Sequence, residues 1–487
     1  MRITVNRKKE RIYPDSKRVI TRFFDHGEIK AKAIVKKIVN MNEEEADNSV
    51  NLILREFAKR HRNITQIFLT NYAKTFHHLS RVIGNQEISF TKKLLIGSYF
   101  TMEYSIESAA LFNPSVVEHP DQSGLESGQK RIIVSFRATG ESHISSIVFR
   151  SGIIDKDFNI MLDHPGNYVS EAEIIKGYEY NKSEFLAILR EHGIFNDIST
   201  EILDTLGDTF FYTGLKDTIK RIQETQKLNL DQKKTLKEMM WLARSHYEVV
   251  FSLDTDISER VIFPVSRTES NGIEDARFVK FHEENGDTIY YATYTAYDGY
   301  TILPKLLATN DFYHFKNLPL HGECMRDKNF ALFPRMINGK FAMLSRIDGV
   351  NQYIMFSDNI TVWETAQIIW EPKYNWELIQ VGNCGSPIET EDGWIVISHG
   401  VGQMRKYCIG ALLLDLDDPT KVIGSLKEPL IVPNEDEREG YVPNVVYSCG
   451  SVVHNGELII PYAISDYASS FATVNVKTLI SKLLEKD

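Results

Sequence analysis

A turn dipeptide that recurs at intervals of 53, 54 and 63 residues constrains this chain more than any other feature. Asn285-Gly286, Asn338-Gly339, Asp392-Gly393 and Asn455-Gly456 each open a short apolar run. Ser127-Gly128 opens a similar run ending at Arg137, and the next turn glycine, Gly286, follows 158 residues after Gly128. Xaa-Gly pairs supply the positive φ that tight hairpins need. The runs end in polar residues: Arg137, Thr295 and Asp298, Arg346, His399 and Asp466. A unit of this length with several short strands cannot bury its sheet alone, whereas units packed around an axis can. Five such units predict a mainly β fold, a five-bladed β-propeller. Strand ends distant in sequence then converge on one funnel, and Arg137, Asp275, Arg346, His399 and Asp466 are expected to share it. Taken singly, an Arg or His at a strand end is more often simply solvated.

Helical patterning fills the long interval and the N-terminal region. Asn42-x-x-Glu45 reads as a capping box, and Ala46, Val50, Ile53, Leu54 and Phe57 follow on one helix face. Asn181-x-x-Glu184 reads as another, with Gly193 as a helix stop and further helices over 218–227 and 232–244. The predicted organisation is an arm and helices over 1–90 and a first blade region over 91–165. A helical insertion over 166–246, the remaining blades over 247–476 and a C-terminal helix over 477–487 complete it. The apolar faces of both helical regions are too large to leave wet, so they are expected to pack on each other or on a second copy. A homodimer through the helices is the corresponding prediction.

Composition narrows the partners. The 487 residues carry a net charge of −10, which points away from nucleic acid and anionic membranes as partners. No run approaches the ~18 apolar residues of a membrane span, and the charged start MRITVNRKKERIY lacks a signal-peptide core, so the cytoplasm is the expected location. Cys324, Cys384, Cys408 and Cys449 lie far apart, which favours neither a disulfide framework nor a zinc site. His77-His78 has no carboxylate at ligand spacing, and no metal is expected.

The stretch Asn271-Gly272-Ile273-Glu274-Asp275-Ala276-Arg277 sits between two β-rich runs. Adjacent carboxylates repel, one arginine holds only one of them comfortably ionised, and the other can acquire the raised pKa of a general acid. A hairpin corner with a solvated charged cluster is the simpler alternative. The stretch resembles the Gly-Val/Cys-Glu-Asp-Pro-Arg segment of glycoside hydrolase family 130, the β-mannoside phosphorylases and some β-mannosidases. Tyr291 to Tyr297, Asp327 to Pro334, Ser398 to Val401, Gly410 to Asp415 and Gly440 to Val445 continue the resemblance in family order. It implies a five-bladed propeller and inverting phosphorolysis of β-mannooligosaccharides, releasing α-D-mannose 1-phosphate. It favours β-1,2 linkages, with inorganic phosphate as co-substrate and no cofactor. Asp275 matches the proton donor, acting directly or through a mannosyl hydroxyl. Lys328 and His399 match phosphate ligands, and Arg346 is placed with them. Arg137 and Asp466 match residues facing the mannosyl unit, and Asn271, Glu274, Arg277 and Tyr294 are counted with the substrate contacts. One further phosphate-binding arginine has no clear match; Arg267 and Lys305 are the candidates. The rivals are a β-mannosidase with the same acid and a non-catalytic sugar-binding propeller.

Overall fold

Two groups of helices flank and interrupt a succession of mainly antiparallel sheets. The computed structural model describes residues 3–83, 87–175, 179–191, 194–245, 247–300 and 302–485. Near the N-terminus lie α1 (Glu28–Val39), α2 (Glu43–Phe57), α3 (Ile64–Ile83) and α4 (Phe90–Tyr99). The inserted group is α5 (Lys182–Glu191), α6 (Asp197–Asp204), α7 (Tyr212–Thr225) and α8 (Leu230–Ser245), and α9 (Val476–Leu483) ends the described chain.

The N-cap half of each marked capping box forms. Asn42 Oδ1 accepts the Glu45 N–H at 2.8 Å, and Asn181 Oδ1 accepts the Ser183 and Glu184 N–H groups. Gly193 lies outside the described residues. Two boundaries differ from expectation. The helix expected over 218–227 starts at Tyr212, because Leu215, Ile219 and Ile222 continue one buried face. The region read as the first blade opens inside α4, whose Leu94, Leu95 and Ile96 are buried and whose Gly97 meets the backbone of Phe68 too closely for a Cβ.

Each helical group closes its own core. Val35, Ile38, Val50, Phe68 and Leu95 pack together in the first, and Leu189, Ile202, Leu215, Ile219 and Leu242 in the second. Of the face read on the first group, Ala46 and Val50 are buried in this core, while Ile53, Leu54 and Phe57 are half-buried.

Five sheets of four to six strands follow one another along the chain. Their first edge strands are Ala110–Glu118, Ile273–His282, Lys328–Leu332, Gln380–Asn383 and Val446–Tyr447. Neighbouring sheets are tied in sequence. Phe278 N–H donates to Ser115 Oγ at 3.1 Å, Thr293 Oγ1 to Phe330 O, Asn329 Nδ2 to Asn383 O and Tyr407 N–H to Asn444 O. The last returns to the first through Cys449 N–H and Pro114 O at 2.9 Å. The N-terminal arm joins the last sheet, where Asn6–Arg7 pairs with Ala472 and Thr473. Apolar layers such as Phe149, Phe278, Phe312 and Phe315 fill the space between sheets. The four cysteines are buried and free, and no described helix is long and apolar enough to cross a membrane.

Candidate active site

The first strands break pairing at matched places. Register shifts occur between Phe112 and Ser115, between Glu274 and Arg277, and between Lys328 and Ala331. Each bulge holds a left-handed residue: Asn113 at φ 49°, Asp275 at φ 55° and Asn329 at φ 76°. Asn and Asp tolerate this region better than other side chains with a Cβ, and a bulge turns a side chain off the sheet face. Gly272, at φ 129°, makes the turn into Asp275; a Cβ there would sit 2.5 Å from Ser145 Oγ.

These bulges and the ends of the adjacent second strands enclose a cleft of about 320 Å³. It is lined by Asn113, Glu274, Asp275, Arg277, Lys328 and Asn329 from the bulges. Arg137, Arg346, His399 and Asp466 reach it from the ends of second strands. The five residues expected to share one funnel do line one cleft. Arg405, Asp327, Tyr407 and Tyr447 complete much of the rest.

Asp275 Oδ1 accepts from Asn113 Nδ2 at 2.6 Å and from Arg137 Nη1 at 3.3 Å. Arg277 Nη1 donates to the Asp275 carbonyl at 3.0 Å, and its Nη2 to Tyr447 Oη at 2.7 Å. Glu274 bridges two cations, with Oε1 2.9 Å from Arg137 Nη2 and Oε2 2.6 Å from Lys328 Nζ. Arg346 Nη1 lies 3.3 Å from His399 Nε2. Asn113 Oδ1, Arg137 Nε and Arg346 Nε are buried and have no hydrogen-bond partner among the described residues.

The electrostatics correct the simple paired-carboxylate argument. Burial pushes the Asp275 pKa up, but Arg137, Arg277, Lys328 and the Asn113 hydrogen bond outweigh it and hold the carboxyl below its ordinary value. The carboxyl that rises is Asp466, pushed up to about 6 by burial and by Asp275 and Glu274, against Arg137 and Arg405. A carboxyl with a raised folded pKa destabilises the fold once ionised. For Asp466 this cost is absent below 3.8, grows as pH rises and is complete above about 6. Asp466→Asn removes it, so the variant should be more stable than the parent at pH 7.5, by about 1–2 kcal/mol after allowance for partial exposure. The gain should vanish at pH 4. Denaturant unfolding at both pH values measures this, and a variant no more stable than the parent at pH 7.5 would contradict it.

Two expected substrate contacts lie elsewhere. Tyr294 is buried behind the cleft, donating to Glu269 Oε1 at 2.7 Å and also bonded to Asn317. Strand alternation explains this, because Tyr294 faces the packed layer while Thr293 and Thr295 face the other side. Asn271 is exposed and serves the turn, donating its N–H to Tyr297 O at 2.9 Å. Of the two candidates for the unmatched cation, Lys305 is fully buried and paired with Glu269 at 2.7 Å, and the side chain of Arg267 lies outside the described residues. Arg405 is a cleft-lining cation absent from the sequence expectations; it lies in a short loop with φ 53°. Asn113 was missed as well, although Asn-Pro inside the apolar run ALFNPSVVE signals an interrupted strand.

A family described as beta-1,4-mannooligosaccharide phosphorylase matches residues 227–485. A 1,2-beta-oligomannan phosphorylase of Thermoanaerobacter sp. (strain X514) is 39% identical over 223 residues, covering 43% of this chain and 71% of that protein. A beta-1,2-mannobiose phosphorylase of Listeria innocua serovar 6a is 29% identical over 251 residues, covering 50% and 68%. The solved structure of a Listeria innocua beta-1,2-mannobiose phosphorylase in complex with beta-1,2-mannobiose covers 78% of this chain and 93% of that one. Its identity is 19% and its TM-score 0.47.

Proposed function

Because the chain belongs to glycoside hydrolase family 130, we propose that it catalyses inverting phosphorolysis of β-linked mannooligosaccharides and releases α-D-mannose 1-phosphate. The observation that carries the reading is the composition of one cleft, which Asp275, a carboxyl that can give a proton, lines together with Lys328, Arg346, Arg405 and His399. A phosphorylase needs one acid and a cationic seat for its nucleophile; phosphate arrives already nucleophilic and needs no carboxylate base. Relatives named for β-1,2 substrates favour the β-1,2 linkage. The five sheets, tied in sequence with the last returning to the first, fit the blades of a five-bladed propeller around this cleft.

In this reading a phosphate oxygen forms the bond to the anomeric carbon from the face opposite the leaving group. The glycosidic bond breaks with its electron pair on the leaving oxygen, which takes the proton from Asp275. Inversion converts the β-mannoside into an α-phosphate. Arg137, Glu274 and Asp466 hold the mannosyl hydroxyls, and Lys328, Arg346, His399 and Arg405 hold phosphate. Arg137, Arg277 and Lys328 together hold the Asp275 pKa down. A phosphate dianion beside Lys328 offsets their charge and favours the protonated acid, so phosphate both supplies the nucleophile and readies the proton donor.

Incubation with a β-1,2-mannooligosaccharide should yield mannose 1-phosphate in proportion to turnover when phosphate is present, and almost nothing when it is omitted. Equal turnover with and without phosphate, yielding free mannose, would replace this reading with a β-mannosidase. Binding without turnover would leave a sugar-binding protein.

A further inference from the structure

Both ring nitrogens of His399, which is 1% exposed, have partners of fixed polarity. Nδ1 lies 3.2 Å from the Asn383 carbonyl, which can only accept, so Nδ1 carries the hydrogen. Nε2 lies 3.3 Å from Arg346 Nη1, which can only donate, so Nε2 presents a lone pair. The imidazole is therefore neutral, with one assigned tautomer. Burial and the nearby Arg346 and Arg277 also oppose a second proton. The ring has little freedom to exchange its nitrogens. It stacks on Tyr407 at 6.0 Å and meets the edge of Tyr447 at 4.8 Å. At Gly382 a Cβ would come within 2.6 Å of its Cε1.

A neutral lone pair is an odd feature for a seat that holds an anion, unless the anion brings a hydrogen of its own. We infer that His399 Nε2 accepts a hydrogen bond from the P–OH of bound hydrogen phosphate, making the cleft selective for a protonated oxyanion over one without a proton. The inference rests on the reading of this cleft as the phosphate site. Hydrogen phosphate and sulfate are both tetrahedral dianions, and the proton is the relevant difference. With phosphate, Arg346 turns its donor to the anion while Nε2 takes the P–OH hydrogen. With sulfate, Arg346 can serve only one of the two: either it turns to the anion and Nε2 is left unpaired, or it stays on Nε2 and the anion loses a donor, and a buried site penalises both.

The test is calorimetric titration of the full chain with phosphate, with sulfate and with mannose 1-phosphate, at pH 7.5 and matched ionic strength. Phosphate should bind about 10–100-fold more tightly than sulfate. His399→Phe keeps a ring between Tyr407 and Tyr447 but has neither nitrogen, and its preference should fall to within about 3-fold. Sulfate binding to the parent as tightly as phosphate would overturn the inference and leave His399 as a donor or as a support for Arg346. Undiminished preference in a folded His399→Phe variant would do the same. If that variant does not fold, the parent ratio alone decides. If none of the three ligands binds, the phosphate site itself is wrong, an outcome distinct from equal binding of the two anions.

Discussion

Asp275→Asn should lower turnover by about 10²–10⁴-fold while leaving the fold and ligand binding in place. The amide keeps the shape of the carboxyl and its Oδ1 keeps both donors, Asn113 Nδ2 and Arg137 Nη1. The left-handed backbone at φ 55° suits Asn at least as well as Asp. Only the transferable proton is lost. Steady-state rates in both directions, with a thermal melt and mannose 1-phosphate binding as controls, measure the effect. Turnover within about 10-fold of the parent would remove Asp275 from proton transfer.

Lys328→Ala should act on phosphate rather than on sugar. A charge-assisted contact contributes about 1.5–3 kcal/mol, so the Michaelis constant for phosphate should rise roughly 10–150-fold. That for the oligomannan should change less. Synthesis from mannose 1-phosphate should weaken in parallel, because the same phosphoryl group occupies the same seat. Glu274 remains tied to Arg137 in the variant, so the loss should not spread to the mannosyl side. A Michaelis constant for phosphate that stays within a factor of about two would assign Lys328 to the Glu274 ion pair alone.

The sequence was informative where periodicity and chemistry coincide. Recurrent Xaa-Gly turns followed by apolar runs place Arg137, Arg346, His399 and Asp466 at equivalent strand ends, and these do meet in the cleft. The caps at Asn42 and Asn181 are local hydrogen bonds and equally readable. Asn113, Asn329 and Arg405 were not, because their direction comes from left-handed residues in bulges and a loop, which period-two alternation does not encode. Tyr294 departs from expectation for the opposite reason: its parity in the strand turns it into the packed layer, away from the cleft. Glu274 and Asp275 were legible as a pair. The lowered pKa of Asp275 was not, since Arg137 comes from another sheet and Lys328 from a third.

The left-handed residues of the bulges and of the turns beside them also limit how this site can be altered. At Asn113, Asp275, Asp327, Asn329 and Asp466 the backbone lies between φ 49° and φ 76°. A replacement at those positions must suit the conformation before its chemistry matters, so the accessible alphabet shrinks towards Asn, Asp and Gly. Arg137, Arg346 and His399 lie in regular strand and carry no such restriction. A library seeking a new donor sugar or a new nucleophile therefore has its freedom on the strand-borne half of the cleft. Replacements other than Asn, Asp or Gly in the left-handed half would add a backbone cost of about 1–2 kcal/mol each.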